Sequence, residues 1–457
     1  MKKRVKTTSL MLLVFAMMTA LLIGCSGGSG SNTPAAPANN GTADSQNSQN
    51  TTPDPAPSAP EPITLRISSY SWEDFDRVFK NPIEAKFPHI TVEKVDVEPS
   101  TLAELVARGE EVPDIIWYGG PADLHHAQKL GLALDLNPLI ERHGFDLSIF
   151  KPELVESMRG FSGGDELHAL ARQAAPYALH YNKNIFDLFG VDYPTDGMTW
   201  EDAIELAKKV SGEKDGVKYY GLHPAIHSRI LYESTILDPE THEPRLTSDP
   251  FFKEYLETFQ AMYSVPGNLP PVNEESGNME NGHAMFRGGQ LAMLPLWPEV
   301  AWAASNETFE TDLVTLPTFA SYPGQQPESM SHSLGLTTTS KHQDEAFKVL
   351  TFMISEEYLL DVFASFESPA RLPFSDPAII EKFQLDPKYD GMNIDAYSKL
   401  PFSPGPGPRS KYEIAIAYPV ITSMINEIAL SGKDVNQVLR EAEELAKSKV
   451  AELKAAE

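Results

Sequence analysis

The sequence predicts an α/β protein whose folded part opens as a parallel, doubly wound sheet. Three observations predict it. Short apolar stretches alternate with stretches of helical period, Pro and Gly punctuate the boundaries, and from Ile63 the order reads β-α-β-α-β-α.

Ile63, Leu65 and Ile67 alternate with Thr64 and Arg66, a strand pattern, and Ser68–Trp72 follows as a loop at its carboxyl end. Phe75, Val78, Phe79, Ile83 and Phe87 have helical spacing, with Pro82 restarting or kinking the helix. Ile90, Val92, Val95 and Val97 read as a second strand, and Leu102, Leu105 and Val106 as a short helix. Ile115–Tyr118 is an apolar run between Pro113-Asp114 and Gly119-Gly120-Pro121, the pattern of a buried parallel strand. An amphipathic segment follows, with Leu124, Ala127, Leu130 and Leu132, then Leu134 and Leu136.

Ligands of open α/β sheets sit outside the carboxyl ends of the strands. Trp117, Tyr118 and Asp123 fall at or just beyond such an end. Aromatic faces beside a carboxylate suit a polyhydroxylated ligand; equally, Trp117 could be core and Asp123 a helix cap.

The second half continues in the same style. Tyr177, Leu179 and Tyr181 alternate before Asn182-Lys183-Asn184. Thr199 with Asp202 forms a cap pattern ahead of Ile204, Leu206, Ala207 and Val210. Tyr255, Leu256, Phe259 and Met262 mark a helix from about Asp249. Phe286–Gln290 turns into a short buried strand, Leu291–Leu294, that ends at Pro295-Leu296-Trp297-Pro298. Val435, Val438, Leu439, Ala442, Leu445, Ala446, Val450 and Leu453 make a long amphipathic helix. No internal repeat of solenoid period occurs.

Composition narrows the function. A 41% hydrophobic chain of 457 residues supports a large core and two or three domains. A formal charge of −27 argues against a nucleic-acid partner, which needs a basic face. Lys2, Lys3, Arg4 and Lys6 precede an apolar run, Leu10–Ile23, too short to span a bilayer and ending in Leu22-Ile23-Gly24-Cys25. Residues 1–24 thus read as a signal peptide. Cys25 is the only cysteine, so it forms neither an intramolecular disulfide nor a metal cluster. The tetrapeptide resembles the lipobox of bacterial lipoproteins, in which the cysteine becomes the lipidated N-terminus. Ser26–Pro62 is almost wholly Ser, Gly, Asn, Thr, Ala, Gln and Pro, a disordered tether with an end-to-end distance of about 35 Å.

Several motifs recur in one order. They are Leu65–Ser68 before an aromatic loop, Gly109–Ile116 around Pro113-Asp114, Gly131–Leu136, Tyr181-Asn182-Lys183 and Thr199–Asp202. Phe286–Met293 followed by Trp297, Val314–Pro317, and Ser340-Lys341 through Phe352 complete the set. From Ile63 to about Ala451 the chain resembles the extracellular solute-binding proteins of ABC importers, in the group that contains maltose-binding protein. Ala171 stands where that group often has Pro, and the Met293–Trp297 spacing is shorter, so maltose itself does not carry over.

The resemblance implies two doubly wound α/β lobes of the periplasmic-binding-protein type II kind, joined by a hinge of two or three crossings. The crossings would fall near Leu170–Pro176, Asp312–Pro317 and Glu367–Arg371. Residues 63–172 and 313–367 would form the N-lobe, and 173–312 with 368–457 the C-lobe. Residues 25–62 would be the lipidated cysteine and tether. Tyr70, Trp72, Trp117, Tyr118, Asp123, Arg172, Gln173, Tyr232, Trp297, Glu299 and Arg371 would bind the solute. Partners would be a carbohydrate, from mono- to oligosaccharide, the permease subunits of an ABC transporter, and the membrane through the lipid. The chain would be an extracytoplasmic monomer without cofactor or metal.

Non-sugar solutes such as a phosphate ester, polyamine or peptide remain open, as does a surface sensor or adhesin. An enzyme is not favoured. His125-His126 do not share a helix face, and no Gly-x-Ser-x-Gly, His-Glu-x-x-His, Gly-x-Gly-x-x-Gly or Walker motif occurs. The chain has 64 acidic residues, too many for counting to single out a glycosidase pair, and no pattern points to one.

Overall fold

The computed structural model describes residues 60–68, 74–172, 176–225, 231–272, 277–296, 308–328, 332–355, 357–358 and 391–456. Ten strands form among them: β1 Ile63–Ser68, β2 Ile90–Val95, β3 Ile115–Tyr118, β4 Leu170–Ala171, β5 Ala178–Asn182, β6 Gly212–Lys214, β7 Val217–Leu222, β8 Leu291–Leu296, β9 Thr311–Thr315 and β10 Ser333–Leu336. They make two five-stranded sheets, ordered β2-β1-β3-β10-β4 and β6-β7-β8-β5-β9.

β1 pairs in parallel with β2 and β3, as the alternation of strand and helix predicts. β10 breaks that pattern. It lies antiparallel between β3 and β4, with Leu334 opposite both Trp117 and Leu170. The reason is its origin: it arrives from the second sheet, not through a helix on its own sheet. The second sheet is also mixed, with β5 antiparallel to β8 and β9, and β7 parallel to β8. All five residues of β5 are buried, because it is an inner strand with helices over both faces.

β8 runs to Leu296, past the expected stop at Pro295. Pro295 pairs with Leu179 on one side, while the β7 partnership ends at Leu222–Met293. The proline therefore sits where its missing N–H breaks no ladder on the β7 side.

Helices carry the capping chemistry legible in the sequence. Thr199 and Asp202 close a reciprocal capping box at the helix Trp200–Val210, and the Asp249 side chain accepts from the Phe251 N–H ahead of Pro250–Tyr263. The apolar stripe of Val435–Ala455 packs with the helices Glu413–Leu430 and Pro250–Tyr263. Glu413–Leu430 was not foreseen; Pro419 inside it interrupts the pattern, although Ile416, Val420, Ile421, Met424, Ile425 and Ile428 are all buried.

Each sheet has a main core, and Ala178 and Leu313 of the second sheet pack into that of the first. Leu65, Ile67, Trp117 and Leu334 belong to one; Leu179, Trp200, Phe259 and Met293 belong to the other. The chain passes from the first sheet to the second between β4 and β5, and back between β9 and β10. Leu313–Thr315 are still part of the second sheet, so the return lies at 316–332. The segment Glu367–Arg371 lies outside the described residues.

Candidate functional site

Beyond the carboxyl end of β3 the chain turns through Gly119-Gly120 into the helix Pro121–Lys129. The Gly119 N–H donates to Asp123 Oδ2 at 2.8 Å, which fixes the turn. Pro121 and Ala122, with Phe161 from the helix Pro152–Ser162, form one wall of a cleft of about 240 Å³. The opposite wall comes from the second core: Leu231, Tyr232, Ser234, Thr235 and the first turns of Glu413–Leu430.

Tyr232 has φ 53°, a left-handed conformation that costs a non-glycine residue energy. Packing holds it there. Its ring stacks on Tyr322 at 4.4 Å with an 8° interplanar angle, and its hydroxyl donates to the Gln325 carbonyl. Burial raises its hydroxyl pKa above the ordinary tyrosine range.

At the base of the cleft the Arg409 guanidinium pairs with Glu328, both side chains almost wholly buried. The guanidinium also lies 4.0 Å from the centroid of the Phe161 ring, so one cation joins the two walls. Burial pushes the Glu328 carboxyl up, while Arg409 and Ser157 pull it down. Tyr418 stands at the rim with 65% of its surface exposed. It also borders a second cavity of about 300 Å³, lined by polar groups that include His223, Asn278, Asn281, His283, Thr422 and Asn426. The two cavities thus differ in character, the first largely apolar and aromatic, the second amide- and imidazole-rich, with Tyr418 between them.

The residues expected from the sequence are distributed unevenly. Trp117 and Arg172 come together: the guanidinium lies 4.5 Å from the Trp117 centroid and is 1% exposed, with Phe79 and Tyr358 also around it. The Arg172 backbone N–H donates to the His332 carbonyl, tying the two inter-sheet passages together. Among the described residues its Nη2 donates to Tyr358 Oη, and Nε and Nη1 find no hydrogen-bond partner.

Tyr118 points to the opposite face of β3 and is fully buried, its ring filling the space that Gly335 leaves; a Cβ there would meet Tyr118 Cε2 at 2.6 Å. Trp117 and Tyr118 therefore enter the cores on the two faces of one inner strand. What this strand lends the cleft is the turn beyond it: Pro121 and Ala122 line the cleft, and Asp123 braces the turn from within the helix. Tyr232 lines the cleft from the far side. Tyr70, Trp72, Gln173, Trp297, Glu299 and Arg371 lie outside the described residues, as does Cys25.

Sequence reasoning did not find Glu328, Arg409, Glu413 or Tyr418. The first three are isolated charges in irregular or weakly patterned segments, and only their partner across the fold gives them meaning. Tyr418 carried one signal, an aromatic residue on the non-apolar face of a helical run.

Two lobes, two inter-sheet passages and an open cleft lined from both sides define a binding protein of the hinged, two-lobe class. The model of the bacterial extracellular solute-binding protein family matches residues 71–359, and the chain belongs to that family. Its members are binding proteins that act outside the cytoplasm. No curated protein matches the chain.

Solved structures share the fold. A sugar transporter from Rhizobium etli in an open conformation aligns with TM-score 0.67 at 19% identity, over 84% of this chain and 99% of that one. An ABC substrate-binding protein from Listeria monocytogenes in complex with cycloalternan gives 0.66 at 19% identity, over 86% and 99%. The cyclic alpha-maltosyl-1,6-maltose binding protein of Arthrobacter globiformis gives 0.67 at 16% identity, over 85% and 99%.

The Glu328–Arg409 pair is open to a direct test. Arg409→Ala leaves a buried carboxylate without its cation, and the expected loss is about 3–5 kcal/mol in urea denaturation at neutral pH. Adding Glu328→Gln should return most of it. A double variant no more stable than Arg409→Ala would contradict the pairing.

Proposed function

We propose that this chain captures a carbohydrate between its lobes and delivers it to the permease of an ABC importer. The observation that carries the reading is the cleft itself. Aromatic surface from both lobes, Phe161 and the exposed Tyr418, flanks charged groups that can hydrogen-bond hydroxyls. Sugars pair apolar C–H faces with polar rims and suit such a lining. Fold relatives carry cycloalternan, mannotriose or a sugar-binding name, which supports the choice of ligand class.

The second cavity across Tyr418 extends the groove with amide and hydroxyl groups, which favours a solute longer than one ring. Trp297, Trp72 and the other aromatic and polar residues expected from the sequence are proposed to complete the site. Catalysis is no part of the proposal. The mature protein is proposed to act as a monomer held by a lipid on Cys25, with residues 26–62 as its tether.

A thermal-shift series with maltotriose, mannotriose and mannitol tests the ligand class. Saturating sugar should raise the melting temperature by about 3 °C or more, since ligand bound only to the folded state stabilises it by mass action. No shift with any sugar, alongside a shift with a phosphate ester, polyamine or peptide, would contradict it.

Tyr418→Ala should leave ligand-free melting nearly unchanged because the ring is mostly exposed. It should weaken sugar binding by about 2 kcal/mol, as loss of an interface anchor does. Trp297→Ala is expected to behave alike; full-strength binding in both variants would remove the aromatic platform.

Anchoring is checked separately. Cys25→Ser should release the protein from the membrane fraction, since the h-region alone is too short to span. Retention of the variant on the membrane would argue for another attachment.

A further inference from the structure

We propose that Glu413 is the positioning residue of the cleft: its carboxylate fixes the Leu231–Leu237 wall against the helix that carries Tyr418, and so sets solute affinity. The inference rests on the cleft being the solute site. Glu413 is the first residue of Glu413–Leu430 and is 5% exposed. Oε1 accepts the Ile236 N–H at 2.8 Å and Oε2 the Leu237 N–H at 2.9 Å, from a segment 177 and 176 residues away.

The four residues of that segment that line the cleft, Leu231, Tyr232, Ser234 and Thr235, lie immediately ahead of the two gripped amides. Other braces hold the wall from different directions. The Tyr232 ring and hydroxyl hold it to Tyr322 and Gln325, and the Arg245 N–H donates to the Ile236 carbonyl. Among the hydrogen bonds of the described residues, the grip of Glu413 is the one that ties this wall to the Tyr418 helix. It adds a directed polar link to the apolar core that Ile236, Leu237, Ile416 and Val420 share, and so fixes the wall relative to the Tyr418 helix.

The surroundings make the grip sensitive to pH. Arg409, itself paired with Glu328, and Arg245, beside Asp249, face the carboxylate from neighbouring segments. His242 lies edge-on to Tyr412 and within 3.0 Å of Ser410 Oγ. Burial lifts the Glu413 carboxyl from its ordinary value to about 7, against the pull of the two backbone N–H groups and the two arginines. The ionised carboxylate offers both oxygens as acceptors. Protonation turns one into a hydroxyl, so the grip loosens as pH falls through about 7.

Global stability moves the other way. A carboxyl whose folded pKa is raised favours the fold most below its unfolded pKa, and that contribution is lost as pH rises through about 7. A merely structural role predicts only this second trend, which makes the two separable.

The experiment is amide hydrogen exchange on the purified protein, corrected for intrinsic rates, at about pH 6 and about pH 8. In the wild type, protection of Ile236 and Leu237 should fall about tenfold at the lower pH, the equivalent of one charge-assisted hydrogen bond. In Glu413→Gln it should be low and the same at both. Equal wild-type protection at the two pH values, or wild-type protection in the Gln variant, would overturn the proposal. The wild-type comparison stands even if the variant folds poorly.

Maltotriose titration at about pH 8 supplies the affinity arm, with Glu413→Gln expected to bind about tenfold more weakly. Equal affinity in the two proteins would overturn the link from wall to affinity. Binding to neither would count against maltotriose as solute, while exchange still decides the role of Glu413.

Discussion

The structure depends on one constraint: the chain leaves the first sheet before it is finished and returns to complete it. β10 inserts between β3 and β4 only after the whole second sheet has been built. The two passages therefore begin and end side by side. They leave the first sheet as the neighbours β4 and β10, joined by Ala171–Ser333 and by the Arg172 N–H to His332. They meet the second as the neighbours β5 and β9, joined at Ala178–Thr315. The chain also crosses a third time, from Tyr397 in the first core to Tyr412 in the second, so three connections join the two bodies. A few connections of this kind can absorb rotation in a handful of backbone dihedrals, as hinge motions do.

The same topology places the cleft. The turn after β3 and the end of the Pro152–Ser162 helix come from the first body; the Leu231–Thr235 wall and the Glu413 helix come from the second. Neither body alone lines the whole cleft. Arg409, four residues ahead of the Glu413 helix, makes this concrete, since its guanidinium lies over Phe161 of the first body. The bodies meet at the cleft through charged and aromatic groups.

Much of the fold was legible because local rules acted without competition. Ile115–Tyr118, bounded by Pro and Gly, is a strand with those same limits. Thr199 and Asp202 close the box their spacing implied, and Asp249 caps the helix that follows it. What was not legible depends on position in three dimensions. The antiparallel insertion of β10 leaves no trace in a period of two, and Pro295 continues a strand because β7 happens to end before it. Aromatic residues at a strand end marked where the glycine turn begins. They gave no means of telling that Trp117 and Tyr118 would be drawn into the two cores. Glu413 and Arg409 are invisible to pattern because each acquires its role from a partner far along the chain: the amides of Ile236 and Leu237, and Glu328.

The central claim is that the two lobes close around a sugar. Small-angle scattering of the protein alone and with a saturating sugar, chosen by its effect on melting, measures this most directly. The account predicts a smaller radius of gyration in the bound state, with no change in mass. An unchanged radius at saturation would contradict it.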